Sequence, residues 1–456
     1  MKKIILLFIF LSSIFSNAQT VAAGNNSSIF ACSNGLASGT GLNTLGQLGI
    51  GTNQVTQTLF DVNNLTNVIA VSGRDQFTLF LKSDGTVWVS GFNGLGQFGN
   101  GTIINSNTPI QIPSLSGITK IAAGKFHSLF LKNDGTVWAC GRNFSGENGN
   151  GNLAQQNIPI QVINVNNVID IAAGGNFSMF LQNDGLVKAC GSNSEGQLGS
   201  AGNNTATPRL ATITSVASIG AGSAHSLFVK QDGTAWTCGS NTIGQLGDGT
   251  FFERTIPVQA NNLSGIVSAT GGDSHSLFIK NNGTAWAVGL NAGGQLGDGT
   301  LVNKSSAVQV LNLTGITSVA AYSQSLFAKN DGNFFVCGVN TNSQGNGSAY
   351  GNNTFTNSAV PVLVTGGCTP LSNQDFLKDK FSVSPNPSTG IFTIQTENSI
   401  SNAVITVADL NGRIVHESKT ENLVNKTLDL NALQSGIYIL NVSNGETKYS
   451  QKIVKQ

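Results

Sequence analysis

Charged residues are scarce in this chain of 456 residues. Lys, Arg, Asp and Glu make up 10% of it, against about 25% in an ordinary soluble protein, and the formal net charge is +1. Because no strong positive field exists to attract a phosphate backbone, the composition argues against nucleic-acid binding. Uncharged polar residues provide the solubility instead, and this favours an extracellular protein.

Long apolar runs are missing as well, apart from one at the N-terminus. Two lysines precede the segment IILLFIFL (4–11), and small residues follow at Ser16 and Ala18. A short basic stretch, an apolar segment too short to span a bilayer and small residues before a cleavage point are typical of a secretory signal peptide. We therefore expect residues 1–18 to be removed on export, with an uncleaved anchor as the alternative, and we expect no transmembrane segment in the mature chain.

Motifs for catalysis are missing too. The chain has no G-x-S-x-G elbow and no H-E-x-x-H pair. It does contain GQLGDGT twice, at 244–250 and 294–300, which looks at first like a phosphate loop. A phosphate loop leads into a helix whose N-terminus faces the anion, but neither helical periodicity nor a Walker lysine is present here. We therefore expect no enzyme activity, no cofactor, no metal and no bound nucleotide.

The glycine-rich phrase belongs to a repeat with a period of about 50 residues. Each copy has a turn of the NDG type, and the turn glycines are Gly35, Gly85, Gly135, Gly185, Gly233, Gly283 and Gly332. About four short β-prone segments occur per copy, and those next to the turn are apolar on both sides, which favours strands buried on both faces. Four strands in about 50 residues is the size of a propeller blade. We predict an all-β protein with a seven-bladed β-propeller over residues 19–367, with an open solenoid as the alternative.

The ends of the repeat favour a closed ring. The first copy begins at VAAG (21–24) without the strand that precedes the other copies, and the last copy ends with AVPVLV (359–364). We expect this last segment to supply the missing strand, because a closed ring leaves no exposed sheet edge.

The order and spacing of the repeated phrases point to a known family. The consensus reads AAGxxHSLFLKNDGTVWACGxNxxGQLGxGT, and it resembles the repeat of the regulator of chromosome condensation family over residues 20–367. The resemblance implies a seven-bladed propeller used for protein recognition. The nucleotide-exchange activity of the eukaryotic founder is not expected, because this chain carries an export signal and lacks a basic tail.

A different pattern begins after Gly367. Residues 368–380 read as a polar connector, and residues 381–456 show short strands and NG turns, which predict an immunoglobulin-like β-sandwich. The phrases PNPSTGIF, DLNGRIV, LQSGIYIL and KIVKQ of this segment resemble the C-terminal sorting domain of the type IX secretion system. The resemblance implies handling by that machinery, followed by surface attachment or release. An accessory binding sandwich is the alternative.

The copies differ most in the loops that follow GQLGxGT. A rigid ring that presents dissimilar loops is suited to binding, and the loop FFERT combines aromatic residues with arginine. The candidate partner-binding residues are Phe251, Phe252, Glu253, Arg254, Leu301, Asn303 and Lys304. Ordinary loop variation is the alternative.

These features predict a secreted or cell-surface, non-enzymatic propeller that binds an extracellular protein or glycan. A secreted propeller hydrolase or lyase is one alternative, and a calcium- or glycan-binding adhesin is another. Calcium could bind Asp248 and Asp298 with loop carbonyls, and sugars could stack on tryptophans at one repeat position, but we expect turn and packing roles for these residues. The tryptophans are Trp88, Trp138, Trp236 and Trp286.

Histidines and cysteines also keep to repeat positions. His127, His225 and His275 lie eight residues before the turn glycine, and we expect them to bond neighbouring backbone and not zinc. Four cysteines lie where other copies have small residues, so they should be buried and free: Cys140, Cys190, Cys238 and Cys337. Cys32 replaces a lysine that we expect to face solvent, and Cys368 follows the last strand. Because exposed lone thiols are uncommon in exported proteins, we predict a Cys32–Cys368 disulfide.

Overall fold

The computed structural model describes residues 21–340, 348–366, 381–409, 413–443 and 448–456. The chain divides into two compact units, Met1–Pro370 and Leu371–Gln456. Every regular element among the described residues is a β-strand. No helix long and apolar enough to cross a membrane occurs in this part of the chain. The expected signal peptide and connector lie outside the described residues.

The first unit consists of seven antiparallel sheets of four strands each, which confirms the predicted seven-bladed propeller. Each sheet takes its strands in sequence order from the axis outwards. The innermost strands are β1 (Val21–Gly24), β5 (Val68–Arg74), β9 (Ile118–Ala123), β13 (Val168–Ala173), β17 (Val216–Ala221), β21 (Ile266–Gly271) and β25 (Ile316–Ala321). The second strands are β2 (Ser27–Ala31), β6 (Phe77–Lys82), β10 (His127–Lys132), β14 (Phe177–Gln182), β18 (His225–Lys230), β22 (His275–Lys280) and β26 (Gln324–Lys329).

The outer half of each blade contains the hairpin partner and the edge strand. The third strands are β3 (Ala37–Gly41), β7 (Val87–Gly91), β11 (Val137–Gly141), β15 (Val187–Gly191), β19 (Ala235–Gly239), β23 (Ala285–Gly289) and β27 (Phe334–Gly338). The fourth strands are β4 (Thr56–Asp61), β8 (Ser106–Gln111), β12 (Gln156–Gln161), β16 (Thr205–Leu210), β20 (Arg254–Gln259), β24 (Lys304–Gln309) and β28 (Ser358–Leu363). The NDG glycines join the second and third strands with a positive φ, as at Gly135 (φ 79°), which a side chain would strain.

Neighbouring blades pack face to face through their second strands. The phenylalanine in the middle of each second strand is fully buried, and these residues are Phe30, Phe80, Phe130, Phe180, Phe228, Phe278 and Phe327. Phe180, for example, joins Leu129 and Val137 of the preceding blade in one apolar cluster. Burial of such a ring stabilises the fold by about 1.5–3 kcal/mol, so the blade interfaces are the core of the unit.

The ring closes without an exchanged strand, so the expected role of AVPVLV was wrong. Strand β28, which contains this segment, pairs with β27 of its own copy, and the first copy has its own fourth strand in β4. The reason is that each fourth strand follows the loop after the third strand and pairs with it as its antiparallel neighbour. The blades at the two ends meet through side chains instead: the Gln324 amide donates to Ser27 O (2.8 Å), and the rings of Phe30 and Phe334 lie 4.7 Å apart.

The four cysteines at the shared repeat position are buried and free, as predicted, and burial raises the pKa of each thiol. Cys32 is also buried, which corrects the expectation of a solvent-facing position. The lysines at this position are half-buried because their ammonium groups lie over aromatic rings, as at Lys280, whose Nζ is 4.2 Å from the Trp286 ring centroid. The sulfur of Cys32 is disulfide-bonded. Its predicted partner Cys368 lies outside the described residues, so the pairing stays a prediction.

The second unit is all-β, as predicted. Its strands are β29 (Phe381–Ser384), β30 (Ile391–Ala408), β31 (Ile414–Asp429), β32 (Gly436–Ser443) and β33 (Lys448–Lys455). Strand β30 pairs with β31 along one edge, while its other edge pairs first with β29 and then with β32. Both halves of this arrangement contribute to one apolar core, with Phe392 and Ile394 from one half and Val407, Leu440 and Val442 from the other.

Candidate functional site

The two ends of the propeller differ in what they carry. Because neighbouring strands are antiparallel, the turns between first and second strands and the loops between third and fourth strands lie at one end, which we call the loop face. The NDG hairpins and the links between blades lie at the other end, which we call the hairpin face. All candidate partner-binding residues lie in loops of the loop face or at the first position of the strand that follows.

The GQLGxGT phrase forms these loops and joins each blade to the next. Gly244 has φ 85°, and a Cβ atom there would lie 2.8 Å from Cα of Ser305 in the next blade. Gly249 N donates to Ser305 O at 2.8 Å. Buried Asn241 holds the loop from inside, because its Oδ1 accepts from Leu246 N (3.0 Å) and its Nδ2 donates to the O atoms of the loop. The glycines therefore serve turns and close blade contacts.

In the fifth blade the loop presents an aromatic pair. Phe251 and Phe252 are 55% and 73% exposed. Arg254 is held within the loop, since its Nη2 lies 2.7 Å from Asp248 Oδ2 and its Nε donates to the same oxygen. Glu253 is exposed, and a side-chain hydrogen bond with Glu195 of the preceding blade raises its pKa. The phenylalanines are thus the part of this predicted set that is free to contact a partner.

The sixth blade repeats this arrangement. Leu301 is exposed together with Val302, which the sequence analysis did not single out. Asn303 Oδ1 accepts from Asn291 N (2.8 Å), and Lys304 Nζ lies 3.6 Å from Asp298 Oδ2. Asn303 and Lys304 therefore support the loop, and the apolar pair is what it exposes.

The same two positions are apolar and exposed in the second and third blades. Ile103 and Ile104 follow the glycine phrase of the second blade, and Leu153 follows that of the third. The signal in the sequence is an apolar residue or pair directly after G-T or G-N, in loops that must be solvent-exposed. We call the set of exposed apolar loop residues the apolar loop tips, and they are Ile103, Ile104, Leu153, Phe251, Phe252, Leu301 and Val302.

At the centre of the loop face, one arginine crosses the mouth of the axial channel. The innermost strands enclose a cavity of about 210 Å³, and Arg74 lies at its mouth, 5% exposed. Its guanidinium donates to Ala221 O (3.4 Å), Ser223 Oγ (3.1 Å) and Gly272 O (3.4 Å), and it lies 5.8 Å from the Tyr322 ring centroid. Arg74 therefore ties the second blade to the fifth, sixth and seventh.

Acidic groups next to Arg74 complete this network. Tyr322 OH donates to Asp75 Oδ1 (3.3 Å), and Ser223 Oγ donates to Asp273 Oδ1 (2.6 Å). Burial lowers the pKa of Arg74, whereas the charges of Tyr322, Asp273 and Asp75 oppose that change. Burial also raises the pKa of Asp75, against the influence of nearby Lys125. These contacts hold the Arg74 side chain across this end of the cavity.

Sequence reasoning missed this network, although a signal was present. Arg74 occupies a repeat position at which five other copies have glycine: Gly24, Gly124, Gly174, Gly222 and Gly272. A long charged side chain in place of a repeated glycine on the strand nearest the axis indicates a contact across the ring.

The repeated histidines connect blades. His127 Nε2 lies 2.9 Å from Ser178 Oγ of the next blade, and His225 and His275 make the same contact with Ser276 and Ser325. The serine hydroxyl is a further partner beside the backbone that the sequence analysis expected, since His127 also has a backbone hydrogen bond with Phe177 and His225 one with His275. Burial lowers the pKa of His127 and His225 to about 3 and that of His275 to about 4, so these rings are neutral. Among the described residues, no group of three His, Cys, Asp or Glu side chains could hold a metal ion.

The tryptophans and the loop aspartates are also engaged. Lys132 Nζ lies 5.1 Å from the Trp138 ring centroid, and the same lysine–tryptophan contact occurs in three other blades. A face covered by lysine is not open to a sugar ring. Burial acts to raise the pKa of Asp248, but hydrogen bonds from Thr250 and Arg254 outweigh it and lower that pKa. These carboxylates therefore stabilise their loops.

The fold and its two faces define a seven-bladed propeller followed by a separate all-β unit. The chain belongs to the RCC1-like domain family, which matches residues 59–377. Residues 382–456 match the secretion system C-terminal sorting domain, which supports secretion or attachment at the cell surface. No curated protein matches the chain.

Solved structures show the same propeller. Human WBSCR16 aligns with a TM-score of 0.61 at 23% identity, covering 67% of this chain and 84% of that one. Prp20p from Saccharomyces cerevisiae, whose binding to Gsp1p and histones has been described, aligns with a TM-score of 0.65 at 21% identity, covering 76% and 88%. Yeast RCC1 (Prp20) bound by Kap60 aligns with a TM-score of 0.64 at 19% identity, covering 84% and 93%. At these identities the likeness extends to the fold alone.

Proposed function

We propose that this protein is a non-enzymatic propeller, delivered to the cell surface or released by the type IX route, that binds a macromolecular partner through its loop face. The machinery would recognise residues 381–456, and the propeller would then engage an extracellular protein or glycan. Phe251, Phe252 and Leu301 would be direct contacts. Glu253, Arg254, Asn303 and Lys304 would shape the loops that carry them.

The apolar loop tips carry this proposal. They occur on four blades, at two consecutive repeat positions and on one face, and Phe252 reaches 73% exposure. Apolar groups in such numbers on one surface indicate an interaction site, because exposed apolar patches favour association. Their rigid, blade-linked loops would lose little conformational freedom on binding, which favours affinity.

The histidines, aspartates and tryptophans that could support hydrolysis, calcium binding or sugar stacking already contact other side chains of the propeller. The histidines are neutral and bonded to serines, Asp248 is paired with Arg254, and lysines cover the tryptophan rings. This engagement favours binding over hydrolysis, calcium capture or sugar stacking.

The test is partner capture by the mature protein from extracellular proteins and on glycan arrays. We expect a specific partner to be retained by the wild type and lost by a variant with F251S, F252S, L301S and V302S. The matched control is Ile169→Ser with Val267→Ser, because these exposed apolar residues lie at the hairpin-face ends of β13 and β21. Equal capture by all three proteins, or turnover in a broad hydrolase screen, would contradict the proposal.

Export is tested separately. A chain that ends before Phe381 should fold as a propeller and stay in the periplasm, because the two units are separately compact. Normal surface delivery of this truncated chain would contradict the assigned role of the second unit.

A further inference from the structure

Three phenylalanines lie on the loop face of two neighbouring blades, with Phe92 in the second blade and Phe126 and Phe144 in the third. Within the third blade, Arg142 N donates to Phe126 O (2.9 Å) two residues before Phe144. The ring centroids of Phe92 and Phe126 lie 6.0 Å apart at 69°, and both residues are half-buried. Phe144 is 57% exposed. Lys125 Nζ lies 5.4 Å from the Phe126 centroid, and the Arg142 guanidinium lies 5.3 Å from that of Phe144. We call these five residues the aromatic–basic patch.

The fold does not need aromatic residues at these positions. The equivalents of Phe126 are small or polar in every other blade: Asn26, Gln76, Asn176, Ala224, Ser274 and Ser323. The described equivalents of Phe144 are also small or polar: Thr44, Gly94, Ser194, Thr242 and Ala292. Because the same blade forms without these rings, packing within the repeat does not account for them.

The two cations of the patch differ in the carboxylates that lie close to them. Arg142 is already engaged, since its Nη1 lies 3.1 Å from the buried carboxylate of Glu147 and also donates to Asn176. Lys125 is exposed, and no carboxylate among the described residues lies within 4.0 Å of its Nζ. The patch therefore offers an apolar aromatic surface beside the ammonium group of Lys125. This group forms no ion pair within 4.0 Å among the described residues, although its charge acts on Asp75 from farther away.

We propose that the aromatic–basic patch binds a segment of a partner protein in which a carboxylate lies next to an aromatic or branched aliphatic side chain. The apolar side chain packs against Phe126 and Phe144, and the carboxylate pairs with Lys125. This inference rests on the proposed function and names the chemistry of the partner. A protein segment fits better than a glycan, because phenylalanine rings offer no hydrogen bond to sugar hydroxyls and Lys125 is the one cation of the patch without a carboxylate within 4.0 Å among the described residues.

The test uses random dodecapeptides displayed on phage and selected on the mature protein. We expect the selected peptides to place Asp or Glu within two positions of Phe, Trp, Leu or Ile. A synthetic copy of the best peptide should bind about 30-fold more weakly to a variant with F126N and F144T, as for loss of a central aromatic contact. Both substitutions introduce residues that other blades carry at these positions, so the fold should be kept, and thermal melts check this.

Lys125→Gln should weaken the acidic peptide about fourfold, as expected for an exposed ion pair, and should leave its Asn or Gln analogue unchanged. This double-mutant cycle separates charge pairing from packing. Selected peptides without a carboxylate would overturn the inference. A second result would also overturn the inference. In that result the selected peptides, or a ligand from the glycan array, would still bind the variant with F126N and F144T but would not bind the variant with F251S and F252S. That second result would leave the proposed function unchanged. If no partner or peptide binds the loop face at all, both the proposed function and this inference are contradicted.

Discussion

The two faces of the propeller are built by the same repeat but use their side chains differently. On the hairpin face, the turns are nearly identical from blade to blade, as at Asp134, whose Oδ1 accepts from both Thr136 N and Thr136 Oγ1. On the loop face, buried Asn241 and its equivalents hold each loop from inside, while the outer residues differ and expose apolar groups. Repeated side chains therefore maintain the ring, whereas the apolar loop tips vary from blade to blade and are exposed.

The largest expected effect is the loss of stability at low pH, which acts through the three repeated histidines that link the blades. In the unfolded chain the three blade-linking histidines titrate near 6.5, whereas burial lowers their folded pKa to about 3 or 4. The unfolded state thus takes up protons first, and stability falls as the pH drops below about 6.5. At pH 5 the loss amounts to roughly 6 kcal/mol for all three. Unfolding by denaturant at pH 7 and pH 5 measures it.

The seventh blade supplies the control for the acid prediction. Gln324 occupies the histidine position there and bonds Ser27 O with a neutral amide. A variant with H127Q, H225Q and H275Q should lose most of the pH dependence between 5 and 7. An unchanged pH dependence would show that carboxylates, and not histidines, determine the acid response.

A blade interface is the next most sensitive element. Phe180→Ala removes a fully buried ring and should reduce the free energy of unfolding by about 3–5 kcal/mol. Denaturant unfolding at pH 7 measures the loss. A loss below 1 kcal/mol would mean that neighbouring blades adjust to fill the space.

The centre of the loop face should show an intermediate effect. Arg74→Gly introduces the glycine that five other blades carry, and it removes the contacts to Ala221, Ser223 and Gly272. We expect a loss of about 2 kcal/mol, because the acceptors lose a charged donor and Asp75 loses a nearby cation. Thermal and denaturant unfolding would measure it. A more stable variant would show that the free-energy cost of burying the guanidinium exceeds the stabilisation from its hydrogen bonds.

The smallest effect on stability is expected at the apolar loop tips. Replacement of Phe251 and Phe252 by serine should change the free energy of unfolding by less than about 1 kcal/mol, because both side chains are exposed. Partner capture should nevertheless fall. Thermal melts and capture are to be compared on the same protein, and a large loss of stability would place these rings in the fold's own packing.

The period of the sequence predicts the blades well, because NDG turns and apolar strands recur in every copy. It does not show where a blade begins, since a cyclic repeat has no intrinsic start, and for this reason AVPVLV was assigned to the wrong blade. The spacing of the repeat also does not predict which distant residues a long side chain contacts. Arg74 meets Gly272 across the axis, and the lysines at the position of Cys32 bend over aromatic rings.

The central claim is that binding takes place on the loop face. Hydrogen exchange of the mature protein with and without its captured partner tests it most directly. We expect protection in the loops around residues 92–104, 125–126, 142–153, 251–254 and 301–304, with the NDG hairpins of the other face unchanged. Protection confined to the hairpin face or to residues 381–456 would contradict this account.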